Sequence, residues 1–290
     1  MPRQVDYYFS LQSPWAYIGH QSFRNIVSTY DLKVNHRPVV LVDLFSETGG
    51  LPLMKRHPVR QRYRMVELQR WRDKRGLKFH LQPANWPFNA RLADGVVIAA
   101  LEAGHDPDRY LRRAFAAVWE HQLNLADPAT IAKLADESGL PGQQLVERSG
   151  AEEVTAAYEQ NRQDALAADV FGSPVYVLEG EVFWGQDRLE LLEDALKSGR
   201  APYSSGVQGR LESAPGVEET GTVLRREQAH EHSEIVLEIL QRYRVGYLSR
   251  RQRAGARGRA AGNRERPLCA VTDGGWRAPA RYKNRCDFDL

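Results

Sequence analysis

The sequence predicts an α/β fold: a small mixed sheet whose strands are separated by one long helical stretch. Three observations predict it. Near the start, the β-rich run Val5-Asp6-Tyr7-Tyr8-Phe9 leads through a few polar residues into Ser13-Pro14 and a helical pattern from Trp15 to about Thr29. Far downstream, Ser173-Pro174 opens a β-hairpin that turns at Glu179-Gly180-Glu181 and runs into a final helix, Leu189 to Leu196. Between these two units, residues 58–168 keep apolar positions at helical spacing.

In chain order, Ser13 reads as the N-cap of the first helix and Pro14 as its first helical residue. Unpaired backbone N–H groups and the positive end of the helix dipole then converge with a hydroxyl, a combination that favours an anion. Lys33 to Leu41 alternates as a second strand, and Ser46-Glu47-Thr48-Gly49-Gly50-Leu51-Pro52 has the turn formers of a loop. Helices are expected over 58–75, 90–103, 107–122, 127–138 and 151–168, broken at Gly104, Asp127-Pro128 and Gly139-Leu140-Pro141-Gly142. Leu81 to Asn89 is rich in proline and aromatic residues without a period. Its Trp86 and Phe88 suit either core filling or a wall for a planar aromatic ligand, with Asn89 as a polar contact. Val175–Leu178 and Glu181–Trp184 complete a four-stranded mixed sheet, and Asp187 is placed to cap the last helix.

This pattern divides the chain into a discontinuous sheet domain (1–57 and 169–206), an inserted helical domain (58–168) and an extension (207–290) with one helix around Glu234 to Leu240. An apolar fraction of 42% is enough for a real core. No run approaches the roughly 18 apolar residues of a membrane span, and the start does not read as a signal peptide, so a cytoplasmic location is expected. Residues 207–290 hold 16 Lys and Arg against 11 Asp and Glu, which leaves 24 against 26 for the rest. The body therefore lacks an electrostatic footprint for nucleic acid, and only weak contact through the basic extension is expected. That extension has too few apolar residues to offset its ordering entropy, and a mobile, dispensable segment is expected. His230-Glu231-His232 opens a charged helix and reads as a solvated face, not as a metal site. Both cysteines, Cys269 and Cys286, also lie there. A dithiol at the start of the first helix is thereby excluded, because Ser13 and Ala16 stand at those places; a thiol must come from outside.

Residues 1 to about 206 resemble the kappa-class glutathione transferases and the 2-hydroxychromene-2-carboxylate isomerases of the DsbA-like thioredoxin superfamily. The resemblance is carried by Tyr8-Phe9 with Ser13-Pro14-Trp15-Ala16-Tyr17, Glu47 to Pro52, Tyr63 to Trp71, Pro87-Phe88-Asn89, Phe171-Gly172-Ser173-Pro174, and Trp184-Gly185-Gln186-Asp187-Arg188 with the residues after it. It implies a thioredoxin-like fold with an inserted helical domain and a cis Ser173-Pro174 bond beside the first helix.

The resemblance also implies glutathione as cofactor and a small aromatic substrate, and it is compatible with a homodimer. Glutathione would add beside the strand after Pro174, pairing with the Ser173 backbone. The helix N-terminus at Gln186 would take the γ-glutamyl carboxylate and the Asp187 carboxylate its ammonium, Gly50 would also contact glutathione, and the sulfur would lie at Ser13 as a stabilised thiolate. Trp15, Trp86, Phe88 and Asn89 would face the substrate. Relatives carry Thr-Gly-Asn, a basic residue and two prolines where this chain has Thr48-Gly49-Gly50-Leu51-Pro52-Leu53. An amide and a cation are missing, for which Lys55, Arg56 or Arg60 could stand in. Ser173 also replaces the usual apolar residue. The reading is a glutathione-dependent isomerase; the alternatives are a kappa-type transferase and a thioredoxin-like binding module without redox activity. A serine hydrolase is disfavoured, since no Gly-x-Ser-x-Gly pattern is present and His20 is expected to face solvent or core.

Overall fold

The computed structural model describes residues 3–205. The expectations for 207–290, including the helix around Glu234 and the His230-Glu231-His232 face, lie outside the described residues. The sheet has the order β2-β1-β3-β4, with β1 at Gln4–Phe9, β2 at Lys33–Pro38, β3 at Val175–Leu178 and β4 at Glu181–Trp184. Strand β1 runs parallel to β2 and antiparallel to β3, pairing Tyr7 with His36 on one side and with Tyr176 on the other.

Burial on both faces explains the apolar run in β1. Val5, Tyr7 and Phe9 point into the main core with Phe23, Phe115 and Trp119, while Tyr8 points the other way into a small core with Leu44, Val175 and Val177. The β3–β4 hairpin turns on Glu179 and Gly180, both at positive φ, as a two-residue turn matched to strand twist requires.

Helix α1 (Pro14–Thr29) follows β1. Between β2 and β3 lie α2 (Leu41–Thr48), α3 (Pro58–Lys74), α4 (Arg91–Glu102), α5 (Asp108–Trp119), α6 (Pro128–Glu137), α7 (Gly142–Arg148) and α8 (Glu152–Ala167); α9 (Leu189–Ser198) is the last helix among the described residues. This is the expected sheet interrupted by helices.

Two local expectations are corrected. Strand β2 stops at Pro38, and Leu41-Val42-Asp43-Leu44-Phe45 starts α2, which runs to Thr48 and ends at Gly49 in the left-handed conformation. The apolar residues at 41, 44 and 45 have helical spacing, which a short run shares with a buried strand. The break at Gly139–Gly142 also hides α7. Gly142 serves packing, since a Cβ there would lie 2.1 Å from the Ala132 carbonyl oxygen.

Gly19 has a comparable role nearer the site: a Cβ would lie 2.6 Å from Gln186 Cβ and 3.3 Å from its Cα. Backbone would have to move, so Gly19→Ala should cost about 1–3 kcal/mol through overpacking. A thermal melt should show a midpoint several degrees below wild type; an unchanged midpoint would mean that α1 and the Gln186 segment are not tightly apposed.

Candidate active site

The turn Ser10–Ser13 joins β1 to α1, and each of its residues is held. Ser13 N–H donates to the Ser10 carbonyl at 2.9 Å. Ser10 N–H donates to Ser173 Oγ at 3.0 Å. The Leu11 carbonyl accepts from Trp119 Nε1 at 3.3 Å and the Gln12 carbonyl from Trp86 Nε1 at 2.9 Å. Ser13 Oγ accepts from Ala16 N–H at 3.2 Å, which is the helix cap, and donates to the Ser173 carbonyl at 3.0 Å. The Ser173–Pro174 bond is cis, and the Pro174 carbonyl accepts from Gly185 N–H at 2.9 Å.

Ser13 is thus buried, with its hydroxyl hydrogen directed at Ser173. A hydroxyl has two acceptor lone pairs and one hydrogen. To donate to a bound anion, that hydrogen must rotate away from the Ser173 carbonyl. The first turn of α1 contains no acid to oppose its dipole.

His20 lies in the core between the Tyr7 and Phe115 rings, and its two ring nitrogens have no hydrogen-bond partner among the described residues. Burial pushes its pKa down to about 4, so it is neutral at neutral pH. It is not a base for Ser13. A second buried group lies near the Leu11 backbone. Asp94, on α4, is fully buried and accepts from Tyr158 Oη at 2.7 Å. Burial pushes its carboxyl up to about 7, against the opposing effect of that hydrogen bond and of the Leu11 backbone N–H.

The expected site residues divide into groups. Ser13, Ser173, Pro174 and Trp86 come together at the turn. Trp86 is half-buried, lies 6.1 Å from the Trp119 ring and carries the Arg64 guanidinium 5.4 Å above its own ring. Trp15 and Phe88 are half-buried and pack on the main core.

Asn89, just before α4, accepts from Arg91 N–H at 3.0 Å and lines a cavity of about 480 Å³ with Gly95, Ser149 and Tyr158. Gly50 packs on Phe45, whose ring would lie 2.5 Å from a Cβ. Among the described residues, no hydrogen bond or ring contact joins Asn89 or Gly50 to Ser13.

Gln186 is buried, with its carbonyl oxygen accepting from Arg75 Nη2 at 3.2 Å. Its backbone stands at the start of the 3-10 turn Gln186–Arg188, where the expected helix N-terminus lies. Asp187 does not cap α9, which begins after this turn with no side-chain cap. Its exposed carboxylate accepts from Arg188 Nη1 at 2.6 Å. It also passes so close to Gly185, at φ 104°, that a side chain there would collide with it.

A family comparison decides what this arrangement belongs to: the profile of the DSBA-like thioredoxin domain matches residues 4–197. The chain belongs to the DsbA-like thioredoxin family. Within it, the chain is 27% identical over 193 residues to a 2-hydroxychromene-2-carboxylate isomerase of Pseudomonas putida, covering 66% of this chain and 93% of that one. It is 23% identical over 232 residues to human glutathione S-transferase kappa 1, covering 73% and 99%. A solved 2-hydroxychromene-2-carboxylate isomerase structure superposes with a TM-score of 0.59 at 26% identity, covering 67% and 95%.

For a DsbA-like protein, the α1 N-terminus lacks any thiol, since no cysteine occurs among the described residues. Nor is any group of three His, Cys, Asp or Glu side chains among them arranged to hold a metal. No helix among them is long and apolar enough to cross a membrane. Sequence reasoning missed Trp119, Asp94 and Arg64. Asp94 alone left a local signal, a single acid inside the apolar stretch Leu92 to Ala100.

Proposed function

We propose that the protein is a glutathione-dependent isomerase of the 2-hydroxychromene-2-carboxylate type. The observation that carries this is Ser13: a hydroxyl at a helix N-terminus, 3.0 Å from the carbonyl that precedes a cis-proline, on a thioredoxin scaffold without its own thiol. These residues fit a thiol peptide at the sulfur end, and the exposed Asp187 carboxylate fits its ammonium group. Bound glutathione supplies a thiolate that adds reversibly to a conjugated double bond, permits rotation about the resulting single bond and leaves again, with no net redox change.

The chain's part is to bind and to hold charge. The Ser173 backbone pairs with the cysteinyl unit as an added strand. Ser13 turns its hydrogen from Ser173 toward the sulfur, and with the α1 dipole lowers the thiol pKa toward neutrality. The thiol proton goes to solvent. Trp86 gives the planar substrate an aromatic wall, and Trp15 and Phe88 bound its pocket. The likeness to the kappa transferase supports one second reading, in which glutathione stays on the product.

Isothermal titration should show glutathione binding in the micromolar to millimolar range. An assay following ring-opened and cyclic forms of the substrate should show interconversion without consumption of glutathione. Consumption would favour the transferase, and absence of binding would leave a binding module.

A further inference from the structure

Leu11 is the second residue of the turn that carries Ser13, and it is fully buried. Its neighbours Ser10, Gln12 and Ser13 are each tied by a hydrogen bond to a distant residue. The Leu11 carbonyl is taken by Trp119, but no carbonyl among the described residues accepts from the Leu11 N–H. A buried backbone N–H is rarely left so, because an unpaired one costs as much as a lost hydrogen bond.

Asp94 has the complementary lack. It stands in the first turn of α4, where an acid suits the helix dipole. An acid on the solvent side of that turn would suit it equally, without desolvation. Asp94 is instead fully buried, with Ala93 before it and the buried residues Gly95 to Ala100 after it. One oxygen, Oδ2, accepts from Tyr158 Oη at 2.7 Å; the other, Oδ1, has no hydrogen-bond partner among the described residues. The Leu11 N–H is directed at this carboxyl closely enough to favour its charged form. A donor without a carbonyl and a carboxyl oxygen without a donor thus lie together, brought there from two domains of the fold.

We propose that Asp94 is a positioning residue of the reactive site: by receiving the Leu11 N–H it fixes the turn from which Ser13 presents its hydroxyl. This rests on the reading that Ser13 serves a bound thiol. Asp94 acts through the backbone of the turn, not on the ligand. Of the titratable groups on the elements around α4, Tyr110 on α5 and Tyr158 on α8 are kept protonated by burial. Arg91, on α4 itself, lies over the Tyr158 ring and pairs with Asp43 of α2. On α7, Arg148 pairs with Glu102 and Glu147 lines the cavity beside Tyr158. On β2, His36 and Arg37 pair with Asp108 and Asp164.

The contact is read first in the full chain without ligand, by the NMR shift of the Leu11 amide proton as pH is varied. In wild type this proton should move downfield as Asp94 ionises, with a midpoint of about 7, and in Asp94→Asn the step should be missing. The role is read next, well below the melting transition, by amide exchange of Leu11 to Ser13 and by kinetics with glutathione and 2-hydroxychromene-2-carboxylate. Asp94→Ala should speed the exchange about tenfold, the scale of one hydrogen bond lost. It should lower kcat on the order of 10- to 100-fold, the scale of a reacting group misplaced by up to about 1 Å, with KM for glutathione nearly unchanged. Asp94→Asn should recover part of the rate, because its single amide oxygen can serve Leu11 only when Tyr158 gives it up. Tyr110→Phe removes another buried bond to α4, from Tyr110 Oη to the Ala93 carbonyl at 3.1 Å. It should lower the melting midpoint and leave kcat and the exchange of the turn as they are.

A Leu11 amide that does not respond to pH, or responds equally in Asp94→Asn, overturns the inference. So does a rate in Asp94→Ala no lower than in Tyr110→Phe. Should Asp94→Ala not fold, a rate in Asp94→Asn equal to wild type overturns it, and a lower rate with the amide step missing upholds it. If wild type binds no glutathione, but exchange of Leu11 to Ser13 quickens in Asp94→Ala and not in Tyr110→Phe, the positioning stands and the glutathione reading falls.

Discussion

Asp94→Asn should remove a loss of stability that wild type suffers on going from mild acid to mild alkali. A carboxyl raised by burial to about 7 in the folded chain, against about 3.9 when unfolded, keeps its proton where the unfolded chain has lost it. Its stabilising contribution is therefore full below pH 4 and declines as pH rises, until both states are ionised above 7. The slope is about 1.4 kcal/mol per pH unit, so that wild type should lose about 2 kcal/mol from this group between pH 5.5 and 8. The amide has no proton to lose and can still accept from Tyr158, whose bond to Asp94 is 2.7 Å long. Urea unfolding at the two pH values checks this: the change in stability from pH 5.5 to 8 should be about 2 kcal/mol more unfavourable in wild type than in Asp94→Asn. Carboxylates with lowered values, such as Asp108 and Glu181, lose their contribution only in acid; His20, lowered by burial to about 4, gains stability as pH rises through about 6.5, but does so in both proteins and cancels from their comparison. Equal pH dependence in both proteins would show that Asp94 is ionised throughout, with a counter-charge the geometry does not reveal.

Ser13→Ala should lower the isomerisation rate at neutral pH on the order of 10- to 1000-fold, the scale of losing one positioned donor to an anion. Glutathione affinity should change little, since the backbone contacts at Ser173 and at the start of the 3-10 turn remain. The variant also loses the cap bond from Ala16 N–H and the bond to Ser173. A stability loss of about 1 kcal/mol is expected from the cap alone. Rates must accordingly be compared well below the melting transition. A rate within twofold of wild type would remove Ser13 from the chemistry and leave it a helix cap.

What the sequence made legible was local. Ser13-Pro14 announces a helix start by residue type, and the Pro174 strand with its Glu179-Gly180 turn announces a hairpin. Both are fixed by φ preferences and hydrogen bonds within a few positions. Misreadings arose where a local pattern fits two structures, as at Val39–Leu41 and Ser46–Thr48, or where a glycine serves packing, as at Gly142.

The supports of the site were not legible, because they join residues far apart. Trp119 reaches back to Leu11, Trp86 to Gln12, and Arg75 across to the Gln186 side chain. No spacing rule encodes such contacts. The asymmetry explains why the family was recognisable from short motifs such as Ser13-Pro14 and the Pro174 strand, while Trp119 and Asp94 came to light only with the fold.

The claim at the centre is that the Ser13 hydroxyl holds a glutathione thiolate. The most direct test follows thiolate absorbance near the ultraviolet edge as pH is varied, with glutathione bound to wild type and to Ser13→Ala. Wild type should titrate below the ordinary thiol value of about 8.5, within reach of neutrality, and the variant about one unit or more higher. Coincident titrations would contradict the account and place the activation of the sulfur elsewhere.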